Sequence, residues 1–184
     1  KGTSGNQLFV KDLTSDKDLI TIVDHFENDS YVIDNKGENL LVHTNIGAPN
    51  NRVVEIDLSN PGKDNWKEII PETENVLSIS IGGMSLFATY LIDAKTAIKQ
   101  YDYDGKLIRD AELPDIGTAY GFWAAHDEKE LYYTFTSFTY PPTIYKYDIS
   151  SGTSSLYRQP KIDFDPTAFV TKQVFYESKD GTKV

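Results

Sequence analysis

Four short segments of this chain share one pattern, an apolar-rich run that ends in Asp followed by an apolar residue. They are NQLFVKDL (6–13), NRVVEIDL (51–58), TAIKQYDY (96–103) and PTIYKYDI (142–149). Their aspartates, Asp12, Asp57, Asp102 and Asp148, are separated by 45, 45 and 46 residues. A period near 45 residues carried by strand-like segments is typical of the blades of a β-propeller. The repeat therefore predicts an all-β chain.

Each full period contains four candidate strands separated by turn signals. In one period these strands are DSYVID (29–34), NLLVHTN (39–45), the repeated segment itself and WKEIIPE (66–72). Asp104-Gly105 is a strong hairpin signal after the third repeated segment. We predict a partial β-propeller over residues 1–165, with about three complete four-stranded antiparallel blades at approximately 19–65, 66–108 and 109–162. NQLFVKDL and LITIVD (19–24) resemble the outer strands of a preceding blade.

The repeat also predicts which side chains pack between blades. Two positions of the pattern are apolar or aromatic in every copy: Leu8, Val53, Ile98 and Ile144 at one, and Leu13, Leu58, Tyr103 and Ile149 at the last. One four-stranded sheet cannot bury both faces alone, so we expect these side chains between neighbouring blades. Burial of one large side chain there should contribute about 1.5–3 kcal/mol.

The repeated aspartates are predicted to be structural. Each follows a strand at a turn, where its carboxylate can accept backbone N–H bonds. Because the same residue recurs in four copies, we do not assign the aspartates as metal ligands.

We predict no catalytic, cofactor-binding or metal-binding residue in this chain. His25, His43 and His126 have no zinc-type spacing, and no GxSxG nucleophile motif occurs. Asp163 and Asp165 are interpreted as loop charges rather than a glycosidase pair. The absence of cysteine excludes disulfides and thiolate metal sites.

Charge and hydropathy exclude two classes of partner. The net charge of −10 and the pI of about 4.7 argue against binding to nucleic acid. No run approaches the roughly 18 apolar residues of a membrane span. The first residues carry no signal-peptide core and begin in mid-element, as a cut fragment would. The compartment, cytoplasmic or periplasmic, is left open.

Several stretches, in order, resemble the prolyl oligopeptidase family. They are DNKGENLLVHTNIGAPNNRVVEIDLSNP (34–61), NWKEIIPE (65–72), LYYTFTSFTYPPTIYKYDI (131–149) and VFYESKDGTKV (174–184). The resemblance implies a seven-bladed propeller that caps an α/β-hydrolase peptidase domain, with residues 166–184 as the link into that domain. The parent would be a serine peptidase for short proline-containing peptides. Its catalytic residues would lie downstream, so the chain alone should be inactive.

The expected partners follow from this resemblance. They are the remainder of the propeller, the peptidase domain and, in the parent, short peptides. Incomplete end blades would expose apolar faces, which a homodimer could cover. Alternatively, residues 166–178 could join 6–13 and 19–24 to close a fourth blade.

Two other functions remain as alternatives. One is a non-catalytic propeller module that binds a protein or a small ligand. The other is a sugar-cleaving propeller enzyme. SKDGT (178–182) lacks the residue between Asp and Gly that a sialidase Asp-box requires, so this second alternative has little support.

Overall fold

A computed structural model describes residues 5–161, 163 and 168–182. This part of the chain contains β-strands and one short 3-10 helix, Lys63–Asn65. The strands are β1 (Leu8–Val10), β2 (Ile20–Val23), β3 (Ser30–Lys36), β4 (Asn39–Thr44), β5 (Arg52–Ile56), β6 (Lys67–Ile70), β7 (Ser78–Gly82), β8 (Ser85–Ile92), β9 (Lys95–Tyr101), β10 (Leu107–Asp110), β11 (Thr118–Tyr120), β12 (Glu130–Thr136), β13 (Thr143–Asp148) and β14 (Ser154–Arg158). Among these described residues, no helix has the length and apolar character to cross a bilayer.

The strands form three four-stranded sheets and one two-stranded sheet. In chain order the larger sheets are blade 1 (β3–β6), blade 2 (β7–β10) and blade 3 (β11–β14), and each is antiparallel throughout. Strands β1 and β2 form an antiparallel outer pair. The first strands β3 and β7 lie in contact. The predicted all-β partial propeller, with three complete blades and the outer strands of a preceding one, is therefore confirmed.

The blade boundaries differ from the expected 19–65, 66–108 and 109–162. The three sheets span residues 30–70, 78–110 and 118–158. Strand β6 belongs to blade 1, because Val53 pairs with Ile70 and Glu55 with Lys67. Strand β2 pairs with β1 and not with blade 1. The connection from Asp57 to β6 is long, and a boundary placed by the 45-residue period alone falls inside it.

The hydrophobic core lies between neighbouring sheets, and the repeated apolar positions contribute side chains to it. Val53 is buried between blades 1 and 2, and Ile98 between blades 2 and 3. Leu8 packs from the outer pair onto blade 1. This position of the repeat therefore faces the following blade. Ile144 is only half-buried because the described chain supplies no blade after blade 3.

The last position of the repeat faces the preceding blade. Tyr103 packs against blade 1 and Ile149 against blade 2. Leu58 is half-buried. The expected burial of Leu13 is wrong, since this side chain is 91% exposed. No described sheet precedes the outer pair, so Leu13 has nothing to pack against.

The four repeated aspartates share one turn geometry, as predicted. In each, Oδ1 accepts a backbone N–H two or three residues ahead: Thr14 on Asp12 (2.8 Å), Ser59 on Asp57 (2.8 Å), Asp104 on Asp102 (2.9 Å) and Ser151 on Asp148 (2.7 Å). Gly105 follows Asp102 at φ +82°, and a Cβ there would lie 2.1 Å from the Ile69 carbonyl oxygen of blade 1. The turn of blade 2 therefore docks on the outermost strand of blade 1 only with glycine at this position.

The blades have two distinct ends. At the hairpin face the first strand connects to the second and the third connects to the fourth. At the loop face the second strand connects to the third, and each blade connects to the next. Strand β14 ends at the loop face, where Arg158 pairs with Ile144 near the start of β13.

The tail was expected either to link to another domain or to close a fourth blade. Residues 168–182 form no strand and add nothing to the outer pair. At Ser178–Thr182 the chain makes a turn in which the Ser178 N–H donates to the Thr182 carbonyl oxygen at 2.8 Å. Asp165, named as a loop charge from the sequence, lies outside the described residues, and Asp163 is exposed.

Candidate functional site

The three histidines lie far apart in the fold. His25 is in the connection from β2 to β3 and accepts the Glu27 N–H at Nδ1 (3.4 Å). His43, on β4, lies with Nε2 3.1 Å from the Leu77 carbonyl oxygen, and its burial lowers its pKa. In the described part of the chain, no group of three His, Cys, Asp or Glu residues converges as metal ligands would.

The main polar cluster centres on Asp34, at the hairpin face. This side chain is 7% exposed, and His126 Nε2 lies 2.6 Å from its Oδ2. The Tyr103 hydroxyl donates to the same oxygen, and the Asn35 N–H donates to Oδ1 at 2.8 Å. Burial and the adjacent carboxylate raise the pKa of Tyr103, so its hydroxyl remains a donor. One carboxylate thus joins blade 1 to the turn of blade 2 and to a loop of blade 3.

His126 reaches Asp34 because it ends a segment that crosses blade 2. We call residues 121–126 the arm; they begin the connection from β11 to β12. The Ala124 N–H donates to the Ile81 carbonyl oxygen at 3.0 Å, and the Gly83 N–H donates to the Ala125 carbonyl oxygen at 3.0 Å. The Ser80 hydroxyl donates to the Phe122 carbonyl oxygen. The arm therefore runs along the free edge of β7, the first strand of blade 2.

Side chains of the arm alternate between the core and solvent. Phe122 and Ala124 are buried, whereas Trp123 is 65% exposed. The Phe122 ring stacks on Tyr133 at 4.5 Å between centroids and contacts Phe87 at 5.6 Å. The arm thus contributes Phe122 and Ala124 to the core between blades 2 and 3 and leaves Trp123 exposed.

The cluster contains a His–Asp pair, and the contacts of its imidazole decide what chemistry the pair can perform. A His–Asp pair activates a nucleophile only if a hydroxyl or thiol lies within hydrogen-bond reach of the imidazole. Within residues 5–161, 163 and 168–182, no histidine is hydrogen-bonded to a serine or threonine hydroxyl. The arrangement binds three blades together and holds the arm in place.

A second polar cluster lies between blades 2 and 3. Gln100 is buried, donates to Ser85 Oγ and to the Ile149 carbonyl oxygen (both 3.0 Å), and accepts the Tyr147 hydroxyl at 3.0 Å. Beside it is an open cavity of about 650 Å³, on whose wall Arg109 donates to the Ser150 carbonyl oxygen at 2.8 Å. The polar atoms of Gln100 are all used within the protein. The cluster therefore fixes the packing of the two blades.

At the loop face, the tail passes over blades 2 and 3. The Gln173 amide donates to the Asp93 carbonyl oxygen in the β8–β9 turn. The Thr171 hydroxyl lies 3.4 Å from that of Thr139 in the β12–β13 connection. In the same connection, Phe138 is completely exposed. Thr171 and Gln173 of the tail therefore lie at the loop face.

In the sequence, nothing marks Asp34, Tyr103 and His126 as a unit or Trp123 as an exposed group. One signal of the arm was present. Blades 1 and 2 use two residues between their first and second strands, whereas blade 3 uses nine. An extra length of chain at one position of a repeat often carries a function on one face of the array.

Comparisons with known proteins agree on one family. The sequence model for "Prolyl oligopeptidase, N-terminal beta-propeller domain" matches residues 1–160. A prolyl endopeptidase of Elizabethkingia miricola is 47% identical over 182 residues, which cover 99% of this chain and 26% of that protein.

Solved structures give the same result. A chain from a study of two prolyl endopeptidases superposes with a TM-score of 0.83 at 37% identity, covering 99% of this chain and 27% of that one. Prolyl oligopeptidase B from Galerina marginata, bound to a 25mer macrocyclization substrate, gives a TM-score of 0.76 at 28% identity, covering 96% and 26%. The chain thus spans about a quarter of the length of these relatives. It belongs to the prolyl oligopeptidase family and lies in that family's N-terminal β-propeller domain.

Proposed function

We propose that this chain forms part of the propeller of a serine-type prolyl oligopeptidase, where it caps the active site and admits only short proline-containing peptides. The observation that carries the proposal is the packing of three four-stranded blades against one another, with the first strands β3 and β7 in contact. In a complete propeller, the first strands surround a central channel. Selection by size then follows from the width of that channel.

The chain itself is proposed to be non-catalytic. A peptidase triad needs a hydroxyl or thiol nucleophile aligned with a base. His126 is engaged by the carboxylate of Asp34, and His43 lies against a backbone carbonyl oxygen. We propose that the catalytic serine, aspartate and histidine lie in a peptidase domain that follows this part of the propeller, as the resemblance to the family implies.

We further propose that the loop face lies toward the peptidase domain and that residues 166–184 form the link to it. The support is the path of the chain, which leaves β14 at the loop face and contacts the turns at Asp93 and Thr139 there. The exposed ring of Phe138 lies on the same face.

Two other surfaces are proposed to meet further blades. Tyr132, Ile144 and Tyr157 lie on the face of blade 3 that no described blade covers, and Phe9 is exposed on the outer pair. In the complete enzyme the remaining blades would cover these surfaces. In the isolated chain we propose that two copies pair through them.

A peptidase assay tests the proposed function. The 184-residue chain and the complete polypeptide that contains it are each incubated with a blocked Gly-Pro chromogenic substrate. We expect turnover, sensitive to a serine-directed inhibitor, from the complete polypeptide and none from the chain alone. Inhibitor-sensitive turnover by the chain would disprove its non-catalytic role, and an inactive complete polypeptide would disprove the peptidase assignment.

A further inference from the structure

We propose that the cavity between blades 2 and 3 at the hairpin face binds a small zwitterion, an amino acid or a short peptide with free termini. Its carboxylate pairs with Arg109, and its ammonium group lies against Glu128 and Asp148. This site is separate from the proposed peptidase function, because it lies at the end of the blades opposite the loop face.

The cavity is formed where turns of two blades meet. Its volume is about 650 Å³, within the range of small-molecule sites in proteins. Gly83 and Arg109 line it from blade 2, and Glu128 and Asp148 line it from blade 3. A ligand of the size of a dipeptide would therefore contact both blades at once.

Arg109 lacks the acidic partner that its counterpart in blade 1 has. In the pairing of the third and fourth strands, Arg109 lies opposite Gln100, as Lys67 lies opposite Glu55. Lys67 Nζ is 3.2 Å from Glu55 Oε2, whereas Gln100 is neutral. Among the described residues, no carboxylate forms an ion pair with Arg109. The carboxylate of a ligand can supply the missing negative charge.

The guanidinium of Arg109 is held in place by the β13–β14 turn. Its Nη2 donates to the Ser150 carbonyl oxygen at 2.8 Å. A Cβ at Gly152 would clash with the guanidinium, so glycine allows the side chain to pass close to this turn. A single hydrogen bond leaves most of the guanidinium N–H groups available. Such a planar fork can bind a carboxylate through two parallel hydrogen bonds.

The charges on the cavity wall favour a zwitterion over a simple anion. Arg109 and Lys129 are positive, and Glu128 and Asp148 are negative. Glu128 is exposed and forms no ion pair within the described part of the chain. A ligand with only a carboxylate would be repelled by the two acidic side chains, whereas an added ammonium group is attracted to them.

Asp148 is available for this role although it also belongs to a turn. Its Oδ1 accepts the Ser150 hydroxyl and the Ser151 N–H, both at 2.7 Å. These hydrogen bonds lower the pKa of the carboxyl to about 2, so Asp148 is ionised at neutral pH. Its second oxygen can therefore accept from an ammonium group in the cavity.

A binding experiment on the complete polypeptide distinguishes the ligand classes. Diglycine, which contains no proline, is compared by calorimetry with N-acetylglycine, glycinamide and inorganic phosphate. We expect diglycine to bind at least about tenfold more tightly than each of the other probes. It should also slow amide hydrogen exchange in residues 107–110 and 148–152. Equal binding of another probe would overturn the zwitterion, and unchanged exchange in both segments would overturn the site.

Variants of the cavity wall supply the second test. Arg109→Gln keeps a side-chain donor but removes the charge, and it should weaken diglycine binding about tenfold. The matched control is Lys67→Gln, which changes the paired counterpart in blade 1 and should leave the affinity unchanged. Glu128→Gln should weaken the binding of diglycine but not that of N-acetylglycine. Unchanged affinity in Arg109→Gln, or an equal loss in Lys67→Gln, would disprove the role of Arg109.

The outcomes also separate this site from the peptidase proposal. If the complete polypeptide binds diglycine as expected but does not cleave the blocked Gly-Pro substrate, the site stands and the proposed function fails. If the substrate is cleaved and diglycine neither binds nor protects the two segments, only the site is wrong.

Discussion

At the scale of single residues, the repeated aspartates show how one side chain recurs for a structural reason. Asp12 and Asp148 accept backbone and hydroxyl hydrogen bonds at their turns, and these bonds lower the pKa of each carboxyl to about 2. The same kind of bonding lowers the pKa of Asp57. Each bond is stronger when the acceptor is the ionised carboxylate than when it is the protonated acid.

The lowered pKa of these carboxyls predicts a pH dependence of stability. The unfolded carboxyl has a pKa of about 3.9, above its value in the folded turn, so ionisation favours the folded state. The contribution is complete above about pH 4 and is lost as the pH falls toward about 2. Urea unfolding of Asp148→Asn and wild type across this range should therefore show a difference in unfolding free energy that shrinks at low pH.

The control for this prediction is Asp18→Asn, which changes an exposed aspartate outside the four turns. Its difference from wild type should vary less with pH. If the Asp148→Asn difference were constant from pH 4 to pH 2, the turn bonds would not favour the ionised form.

At this scale, the role of a residue that repeats is predictable from the sequence, whereas burial that depends on a neighbouring blade is not. The turn role of the aspartates follows from recurrence alone. The exposure of Leu13 and the partial exposure of Ile144 do not, because burial depends on a neighbouring blade that the described chain lacks. The meeting of Asp34 with His126 could not be predicted, since it joins residues from non-adjacent blades.

At the scale of elements, the contact between blades 2 and 3 is mainly aromatic. Phe87, Phe122 and Tyr147 form three mutual ring contacts, with centroids 5.5–5.9 Å apart. All three side chains are buried, and the Tyr147 hydroxyl donates to Gln100. The buried aromatic contacts between blades 2 and 3 are therefore concentrated around these three side chains.

Truncation in this cluster should therefore be costly. We expect Phe87→Ala to lower the free energy of unfolding by about 3–5 kcal/mol, because it leaves a cavity between two blades. Tyr147→Phe should cost about 1–3 kcal/mol, since it leaves the Gln100 amide oxygen without its donor. Chemical denaturation followed by circular dichroism measures both values.

A peripheral aromatic supplies the comparison. Tyr157→Phe alters an exposed ring on β14 and should change the free energy of unfolding by no more than about 0.5 kcal/mol. A cost below about 1 kcal/mol for Phe87→Ala would show that the blades do not depend on this cluster.

The strands and short hairpins were predictable from alternation and from glycine-containing turns. The position of the arm was not, because its hydrogen-bond partners Ser80, Ile81 and Gly83 belong to another blade. The blade boundaries in the structure also differ from the predicted ones, because a repeat period gives the length of a unit but not the residue at which its sheet begins.

At the scale of the whole molecule, the end of the blade array exposes apolar side chains that no described blade covers. Blade 3 presents Tyr132 and Tyr157, whose rings lie 4.7 Å apart, on a face without a neighbour in the described chain. Exposed apolar surface of this kind promotes association. A symmetric pair of copies would bury one such face against another.

We therefore expect the isolated chain to be a dimer in light scattering coupled to size-exclusion chromatography. Ile144→Lys places a charge in the middle of the blade 3 face and should yield a monomer, whereas Leu107→Lys on β10 of blade 2 should remain a dimer. A wild-type chain that elutes as a monomer over the accessible concentration range would refute the pairing.

The contact between Asp34 and His126 has a consequence for how the array comes apart. In most repeat proteins each unit touches only the adjacent ones, so the stability is a sum of unit and nearest-neighbour terms and the ends can fray separately. Here the contact between Asp34 and His126 joins blade 1 directly to blade 3, although blade 2 lies between them in chain order. Neither terminal repeat can detach without breaking a second-neighbour bond, and the three should melt as one cooperative unit.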